Sequence, residues 1–278
     1  MKKVIVITGA SSGMGKDTAL RLLEEGHIVY GAARRIDRMQ DIVQAGGRAL
    51  ALDVTKQESI QQAIKQVLQE QDRIDVLWNN AGYSVNGAVE NISYEEARRQ
   101  FDVNLFGVAE MTKAVLPKMR EQGHGKIINT SSIGGKMHMP VLASWYHASK
   151  FALEGWSDAL RMELEPFGID VVLLEPGGVS TEFVDVLSKP MMEKAKGTAY
   201  EEITQKVANG LVNANNPKNM SSTSVVSNAI LKIIRAKKPK TRYVVGKNAK
   251  VILTLRRLLN DRAYDKVIRR MTDMMLKG

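Results

Sequence analysis

Val4-Ile5-Val6-Ile7-Thr8-Gly9-Ala10-Ser11-Ser12-Gly13-Met14-Gly15-Lys16 decides how this chain folds. Val4 to Ile7 are all β-branched, which suits a strand buried on both faces, as in a parallel sheet. Gly9, Gly13 and Gly15 follow with the spacing G-x3-G-x-G, allowing a tight turn and close approach of the backbone to a ligand. A helical pattern then runs from about Lys16 to Glu25, with Ala19, Leu22 and Leu23 apolar and Gly26 as its stop. Strand, glycine loop and helix in that order aim N–H groups and a positive dipole end at an anion such as a pyrophosphate. A ligand-free turn could be written with the same residues. The spacing is neither G-x-G-x-x-G nor a P-loop, because no Ser or Thr follows Lys16.

Outward from that stretch, strands are expected at His27–Ala32, Ala49–Leu52, Val76–Trp78, Lys126–Asn129, Ile169–Leu174 and Arg242–Val245. Helical patterns separate them at about 37–45, 57–70, 94–121, 145–167 and 223–236. This alternation predicts an α/β fold: a doubly wound parallel (Rossmann) sheet of about seven strands with helices on both faces. Residues 248–259 and 261–276 add a C-terminal helical extension. No linker separates two compact units. The expected organisation is one α/β domain over 1–246, with the glycine loop as its dinucleotide-type turn, and a basic amphipathic tail over 247–278.

Composition narrows the function. The chain has 278 residues, 44% of them hydrophobic, and a formal net charge of +10. That charge is concentrated: residues 232–278 hold 15 Lys/Arg against 3 Asp, while the rest holds 25 basic and 27 acidic groups. Only the tail therefore suits an anionic surface, and no nucleic-acid partner is expected for the body. There is no Cys, which excludes disulfides, thiolate metal sites and cysteine nucleophiles. The four His, at 27, 124, 138 and 147, lack metal-ligand spacing, so no metal is expected. No apolar run approaches the ~18 residues that span a bilayer, and Met1-Lys2-Lys3 does not open a signal peptide, so the expected location is cytoplasmic.

Tyr146-His147-Ala148-Ser149-Lys150 is the candidate reaction centre. At the start of a helix, Tyr146 and Lys150 lie one turn apart on one face, and an ammonium near a phenol lowers the phenol pKa. Such a Tyr can give or take a proton. The spacing is weak evidence alone, since Tyr243 and Lys247 repeat it, but those two fall on a strand and its turn, where positions four apart are not neighbours.

Taken in order, Thr8–Gly15, Asn79-Asn80-Ala81-Gly82, Asn104, Ser132, Tyr146–Lys150 and Pro176-Gly177-Gly178-Val179-Ser180-Thr181 resemble the classical short-chain dehydrogenases/reductases. The resemblance is close over about 3–185 and loose over 222–246. It implies an NADP(H)-dependent oxidoreductase acting on a carbonyl or secondary alcohol, with 1–246 as the dinucleotide-binding catalytic domain and 183–217 as its substrate lid. Catalytic roles fall on Tyr146 as acid/base, Lys150 as its electrostatic partner and ribose ligand, and Ser132 as donor to the substrate oxygen. Asn104 would hold a water linking Lys150 to solvent. The cofactor would be held by Gly9, Ser11, Ser12, Gly13, Met14 and Gly15, by Asn80, Ala81 and Gly82, and by Pro176, Gly177, Val179 and Thr181.

Ala33 stands where NAD-binding relatives carry a ribose-binding carboxylate, and Arg34 and Arg35 follow it. Paired hydrogen bonds from a guanidinium suit a 2′-phosphate, hence the expectation of NADP(H). Ser12 departs from the second basic residue that some NADP-preferring relatives place in the glycine loop. By resemblance Asp53 and Val54 would meet the adenine, although Asp53 or Thr55 could equally cap a helix. Thirteen residues separate Ser132 from Tyr146 where the family has twelve, which leaves Ser131, Ser132 or Ser144 to present the hydroxyl; Ser132 is preferred.

The segments Gly134–Leu142, with Met137, His138 and Met139, and Phe183–Pro217, with Met191, Met192, Tyr200 and Leu211, are the candidate pocket walls. They suit an apolar steroid-, retinoid- or acyl-like substrate, and they could equally be packing. The tail could cover that pocket, join a second copy in a homo-oligomer (dimer or tetramer), or make peripheral membrane contact. The competing class is a non-catalytic NADP(H)-binding regulator. It would have no chemical reason to carry Asn104, Ser132, Tyr146 and Lys150 together.

Overall fold

The computed structural model describes residues 2–139, 142–180, 183–214 and 220–277. Seven strands form one parallel sheet in the order β3-β2-β1-β4-β5-β6-β7. They are β1 Val4–Thr8, β2 Ile28–Ala33, β3 Arg48–Ala51, β4 Val76–Asn79, β5 Gly125–Thr130, β6 Ile169–Pro176 and β7 Arg242–Val245. Every residue of β1 and β4 is buried, as central strands of a parallel sheet covered on both faces must be.

Helices α1 Gly13–Glu24, α2 Gln40–Gln44, α3 Gln57–Gln71, α4 Tyr94–Phe101, α5 Gly107–Gln122 and α6 Ser144–Leu164 return the chain between strands. Two core clusters line the two faces of the sheet. One gathers Val4, Val6, Leu77 and Ile127 with Val67 of α3 and Val115 of α5. The other gathers Ile5, Ile7, Trp78 and Ile128 with Leu22 of α1 and Ile230 of α9 (Ser224–Arg235). The alternation of residues along β1 between these two clusters is the period-two signature of a strand covered on both sides.

Order reverses between β1 and β4, whose strands lead away to β2 and β5 on either side. Ligands bind sheets of this type at that crevice, outside the carboxyl ends of the strands. The helix expected over 94–121 is interrupted. Asp102–Phe106 forms a π-turn between α4 and α5, and Asn104 lies on it, buried. Such turns insert an extra residue to re-aim a side chain. The helix expected over 37–45 is a 3₁₀ turn, Ile36–Met39, followed by the short α2.

Helices α7 Phe183–Ala195 and α8 Glu201–Ala214 follow β6 within the segment expected to form a lid. Met191 packs with Val207 and Ala208, with Leu142, Met192 and Leu211 against them, so Met191 belongs to a core between α7 and α8 rather than to a pocket wall. Helices α10 Ala249–Leu258 and α11 Asp261–Lys277 form the C-terminal extension. They dock on the loop after β5: Tyr264 and Ile268 share a cluster with Ile133 and Met137. Met137 is therefore also core. No described helix is long and apolar enough to cross a membrane, and no group of metal-ligating side chains occurs among the described residues.

Candidate active site

The glycine loop joins β1 to α1 at the crevice. Gly9 takes φ +70° and Gly13 φ +53°, a region costly for any residue with a Cβ. A Cβ on Gly15 would stand 2.4 Å from the Gly9 carbonyl oxygen and 2.7 Å from Asn80 Nδ2. The Thr8 hydroxyl accepts from the N–H groups of Asn80 (3.0 Å) and Ala81 (2.9 Å), and Asn80 Nδ2 donates to the Gly9 carbonyl (3.3 Å). Thus Asn80-Ala81-Gly82, at the end of β4, fixes the loop after β1. Ser12 sits at the N-cap of α1 without a side-chain cap bond, and the first turn carries no acidic residue. That helix end keeps N–H groups and its dipole for an anion. Ser11 is buried and Met14 half-buried in the same loop.

β2 ends at Ala33, and Arg34 and Arg35 follow it exposed, with no carboxylate partner among the described residues. Asp53 lies within electrostatic reach of Arg34, and burial is the largest influence on its carboxyl. Hydrogen bonds from Thr55 overcome that burial and hold the carboxyl below its usual range. Asp53 Oδ1 accepts from the Thr55 backbone (3.0 Å) and hydroxyl (2.7 Å). Asp53 therefore closes a local turn onto Thr55 and does not cap α3, whose N-cap is Lys56 without a side-chain cap bond, and Val54 is buried beside it. On the far side of the crevice, Gly177 donates to the Val245 carbonyl (2.8 Å), and Val179 pairs in a bridge with Ser221. Thr181 lies outside the described residues.

Ser132, Tyr146 and Lys150 meet just beyond the ends of β5 and β6. Ser132 and Tyr146 are joined side chain to side chain by a hydrogen bond. Ser132 Oγ also accepts from the Gly134 N–H (3.0 Å) and approaches the Pro176 carbonyl at 3.4 Å. The neighbouring Ser131 hydroxyl is buried with no hydrogen-bond partner among the described residues, 2.8 Å from where a Cβ on Gly135 would stand, whereas Ser144 is exposed at the start of α6. Ser132 is thus the serine that reaches the tyrosine, despite the extra residue. Leu142 takes φ +52° in that insertion and its carbonyl accepts from the Gly87 N–H at 2.7 Å; Pro140 and Val141 lie outside the described residues.

Lys150 is buried one turn along α6. Its ammonium donates to the Thr130 carbonyl (2.8 Å) and lies 5.8 Å from the Tyr146 ring centroid. Burial lowers its pKa to about 8, against the opposing charge of Glu154 one turn further on. The expected depression of the Tyr146 pKa is not found. Burial raises it, and the Ser132 hydrogen bond only opposes that rise. The reason is desolvation, which penalises the phenolate and the ammonium alike. Asn104 approaches from the π-turn. Its Oδ1 accepts from the Tyr83 N–H (3.1 Å), and its Nδ2 donates to the Tyr83 carbonyl (3.0 Å) and Ser149 Oγ (3.2 Å). A Cβ on Gly82 would stand 3.2 Å from Asn104 Oδ1 and 3.8 Å from Lys150 Nζ, so the segment after β4, the π-turn and α6 converge at one point.

This convergence agrees with the comparison to known proteins. Residues 3–191 match the family model described as short chain dehydrogenase. The chain belongs to that family. As an oxidoreductase it is 51% identical over 183 residues to the 3-ketodihydrosphingosine reductase of Bacteroides thetaiotaomicron, a match covering 66% of each chain. A short-chain dehydrogenase from Streptomyces avermitilis superposes with TM-score 0.77 at 34% identity, over 98% of this chain and 96% of that one. The alcohol dehydrogenase of Thermococcus sibiricus, complexed with 5-hydroxy-NADP, gives 0.71 at 25% identity, over 88% and 97%.

Three charged residues behind the reaction centre carried no sequence signal. Glu154 of α6, Glu175 of β6 and Arg242 of β7 lie far apart in the chain. Arg242 reaches Glu154 (3.0 Å), Glu175 (3.0 Å) and Asp158 (2.5 Å). Burial, then the charge of Glu154, pushes the Glu175 carboxyl up to about 7. His147 was also unassigned. It is half-buried and braces the loop after Ser132, with Nδ1 on the Gly134 carbonyl (2.8 Å) and Nε2 facing the Met139 N–H (3.4 Å).

Proposed function

We propose that the dehydrogenase uses NADPH to reduce the ketone of a long-chain amphiphile, with Tyr146 as the proton donor. The observation carrying this reading is the Ser132–Tyr146–Lys150 cluster opening at the same sheet end as the glycine cradle. The cradle fits a dinucleotide: glycine positions 9 and 15 exclude a Cβ, and α1 presents an uncapped N-terminus. Bound there, the cofactor supplies the hydride.

The chain's own residues handle the oxygen. Ser132 donates to the substrate carbonyl and stabilises the charge that develops on it. Tyr146 gives that oxygen its proton, and Lys150 stabilises the resulting phenolate from one turn away. Asn104 holds the Tyr83 backbone and Ser149 in register with Lys150, and from there it would position a water on the way to solvent. Arg34, at the end of a β2 that lacks a carboxylate, would grip the 2′-phosphate with Arg35 beside it. Val179 and Thr181 would hold the carboxamide. The substrate class is supported by the 3-ketodihydrosphingosine reductase relative and by the apolar helices over the loop after Ser132. A second copy would complete the protein, using the exposed Phe106, Phe151 and Met162; light scattering that finds only monomer would exclude it.

NADPH oxidation with 3-ketodihydrosphingosine and with short, water-soluble ketones tests the reading. Wild type should turn over, Tyr146→Phe should lose about 10²- to 10⁴-fold in kcat, and Arg34→Asp should lose the preference for NADPH over NADH. Equal inactivity of wild type and Tyr146→Phe, with NADPH still bound, would favour the regulator.

A further inference from the structure

We infer that the outer face of α10 and α11 is a docking surface for an anionic bilayer, placed at the substrate side of the enzyme. Both helices turn their apolar sides onto one cluster, where Tyr264 is wholly buried and Ile268 nearly so against Ile133, Met137 and Ala249. Their other sides are exposed. On α10 that side carries Lys250, Val251, Thr254, Arg257 and Leu258, all within one helical stripe. On α11 it carries Arg262, Lys266, Arg269 and Arg270, with Asp273 the carboxylate among them.

Two features separate this face from an ordinary solvated one. First, its cations are unpaired. Lys250, Arg257, Arg262, Lys266, Arg269 and Arg270 have no carboxylate partner among the described residues, whereas Arg256 pairs with Asp261, and His138 with Asp265, closer to the body. Six cations against one carboxylate make a field that attracts anions. Second, Val251 and Leu258 stand 61% and 75% exposed within that field. Aliphatic tips ringed by Lys and Arg suit the boundary between headgroups and acyl chains. A nucleic acid would find no exposed aromatic on these helices to stack its bases, since Tyr264 is buried, and it would leave the aliphatic tips uncovered.

The position gives the surface a purpose. The inner side of the helices sits on the segment directly following Ser132, and α11 touches α8. A bilayer held against the outer face would lie beside the route by which a long-chain ketone reaches Tyr146. Delivery of substrate rests on the proposed function; binding to the bilayer does not.

The test is sedimentation of the full chain with phosphatidylcholine vesicles, with and without about one-third phosphatidylglycerol. Binding is expected only to the anionic vesicles, falling about tenfold or more between 0.1 and 0.5 M NaCl as the Debye length shrinks. Arg262→Glu/Arg269→Glu should abolish it. Val251→Asp/Leu258→Asp should weaken it while the circular dichroism spectrum and the turnover of a short soluble ketone stay unchanged. Equal binding to neutral and anionic vesicles, or retention on duplex DNA with no vesicle binding, would overturn the inference. Anionic-vesicle binding by a protein that reduces no ketone would refute the proposed function and leave the surface standing.

Discussion

Replacing Glu175 with Gln should make the protein more stable, and more so as pH rises. Glu175 is 1% exposed and shares Arg242 with Glu154, also buried, and with the half-exposed Asp158. One guanidinium cannot neutralise three carboxylates, and ionising Glu175 costs its hydration. Burial first, and the charge of Glu154 second, raise its pKa from 4.5 to about 7. A carboxyl raised in the folded state binds its proton more tightly there. Its contribution to stability is thus complete below pH 4.5 and is lost as pH climbs through 7. At about 1.4 kcal/mol for each pH unit of that gap, the loss by pH 8 is about 3 kcal/mol. Gln is uncharged at every pH and fills the same space beside Arg242, whose Nε–H donates to Glu154 Oε2. Urea unfolding of both proteins at pH 5 and pH 8 measures the effect. The variant should lead by about 1 kcal/mol at pH 5 and about 3 kcal/mol at pH 8. A variant less stable than wild type at pH 8, or the same difference at both pH values, would refute the account.

Two other substitutions probe the supports of the site. Gly15→Ala must place a Cβ 2.4 Å from the Gly9 carbonyl oxygen, a contact no side-chain rotation relieves. It should cost about 1–3 kcal/mol, read as a Tm lower by several degrees, and weaken NADPH binding in fluorescence titration. Tyr264→Ala empties the centre of the cluster that ties α11 to Met137, about 3–5 kcal/mol of local packing. Amide hydrogen exchange should accelerate over α10 and α11 while the strands remain protected.

Most of the fold was legible because its signals are local. The run Val4–Ile7 is buried throughout, and Arg242–Val245 is the seventh strand, as their β-branched and aromatic character implied. The alternation of such runs with helical periods left the parallel sheet as the economical arrangement. The helix over 94–121 was misread as continuous because a π-turn keeps nearly the same apolar spacing. Only tertiary demand, the need to bring Asn104 over Tyr83 and Ser149, distinguishes it. In the site, Tyr146 and Lys150 were legible from spacing and order. Ser132 was preferred to Ser131 on the family order alone, because local pattern does not separate two adjacent serines; only the fold leaves the Ser131 hydroxyl buried while Ser132 Oγ meets the Gly134 N–H. Arg242, Glu154 and Glu175 were invisible for a plainer reason: each looks like an ordinary surface charge until sheet order sets β7 beside β6 and α6 behind both.

The row Tyr146, Lys150, Glu154 is the deeper pattern in this helix. Successive members lie one turn apart on one face of α6, with a phenol at the opening, an ammonium behind it and a carboxylate behind that. The phenol–ammonium pair alone does not produce an acidic tyrosine, because burial acts against both charges. The charge of Glu154 opposes the loss of the proton from Lys150, and Arg242 in turn satisfies one oxygen of Glu154. The cation at Lys150 is thus supported by a carboxylate one turn further along α6. Protonating Glu175 leaves Arg242 to Glu154 and Asp158, so the buried carboxylate of β6 lets the helix row keep its alternating charge without a fourth ion in the core.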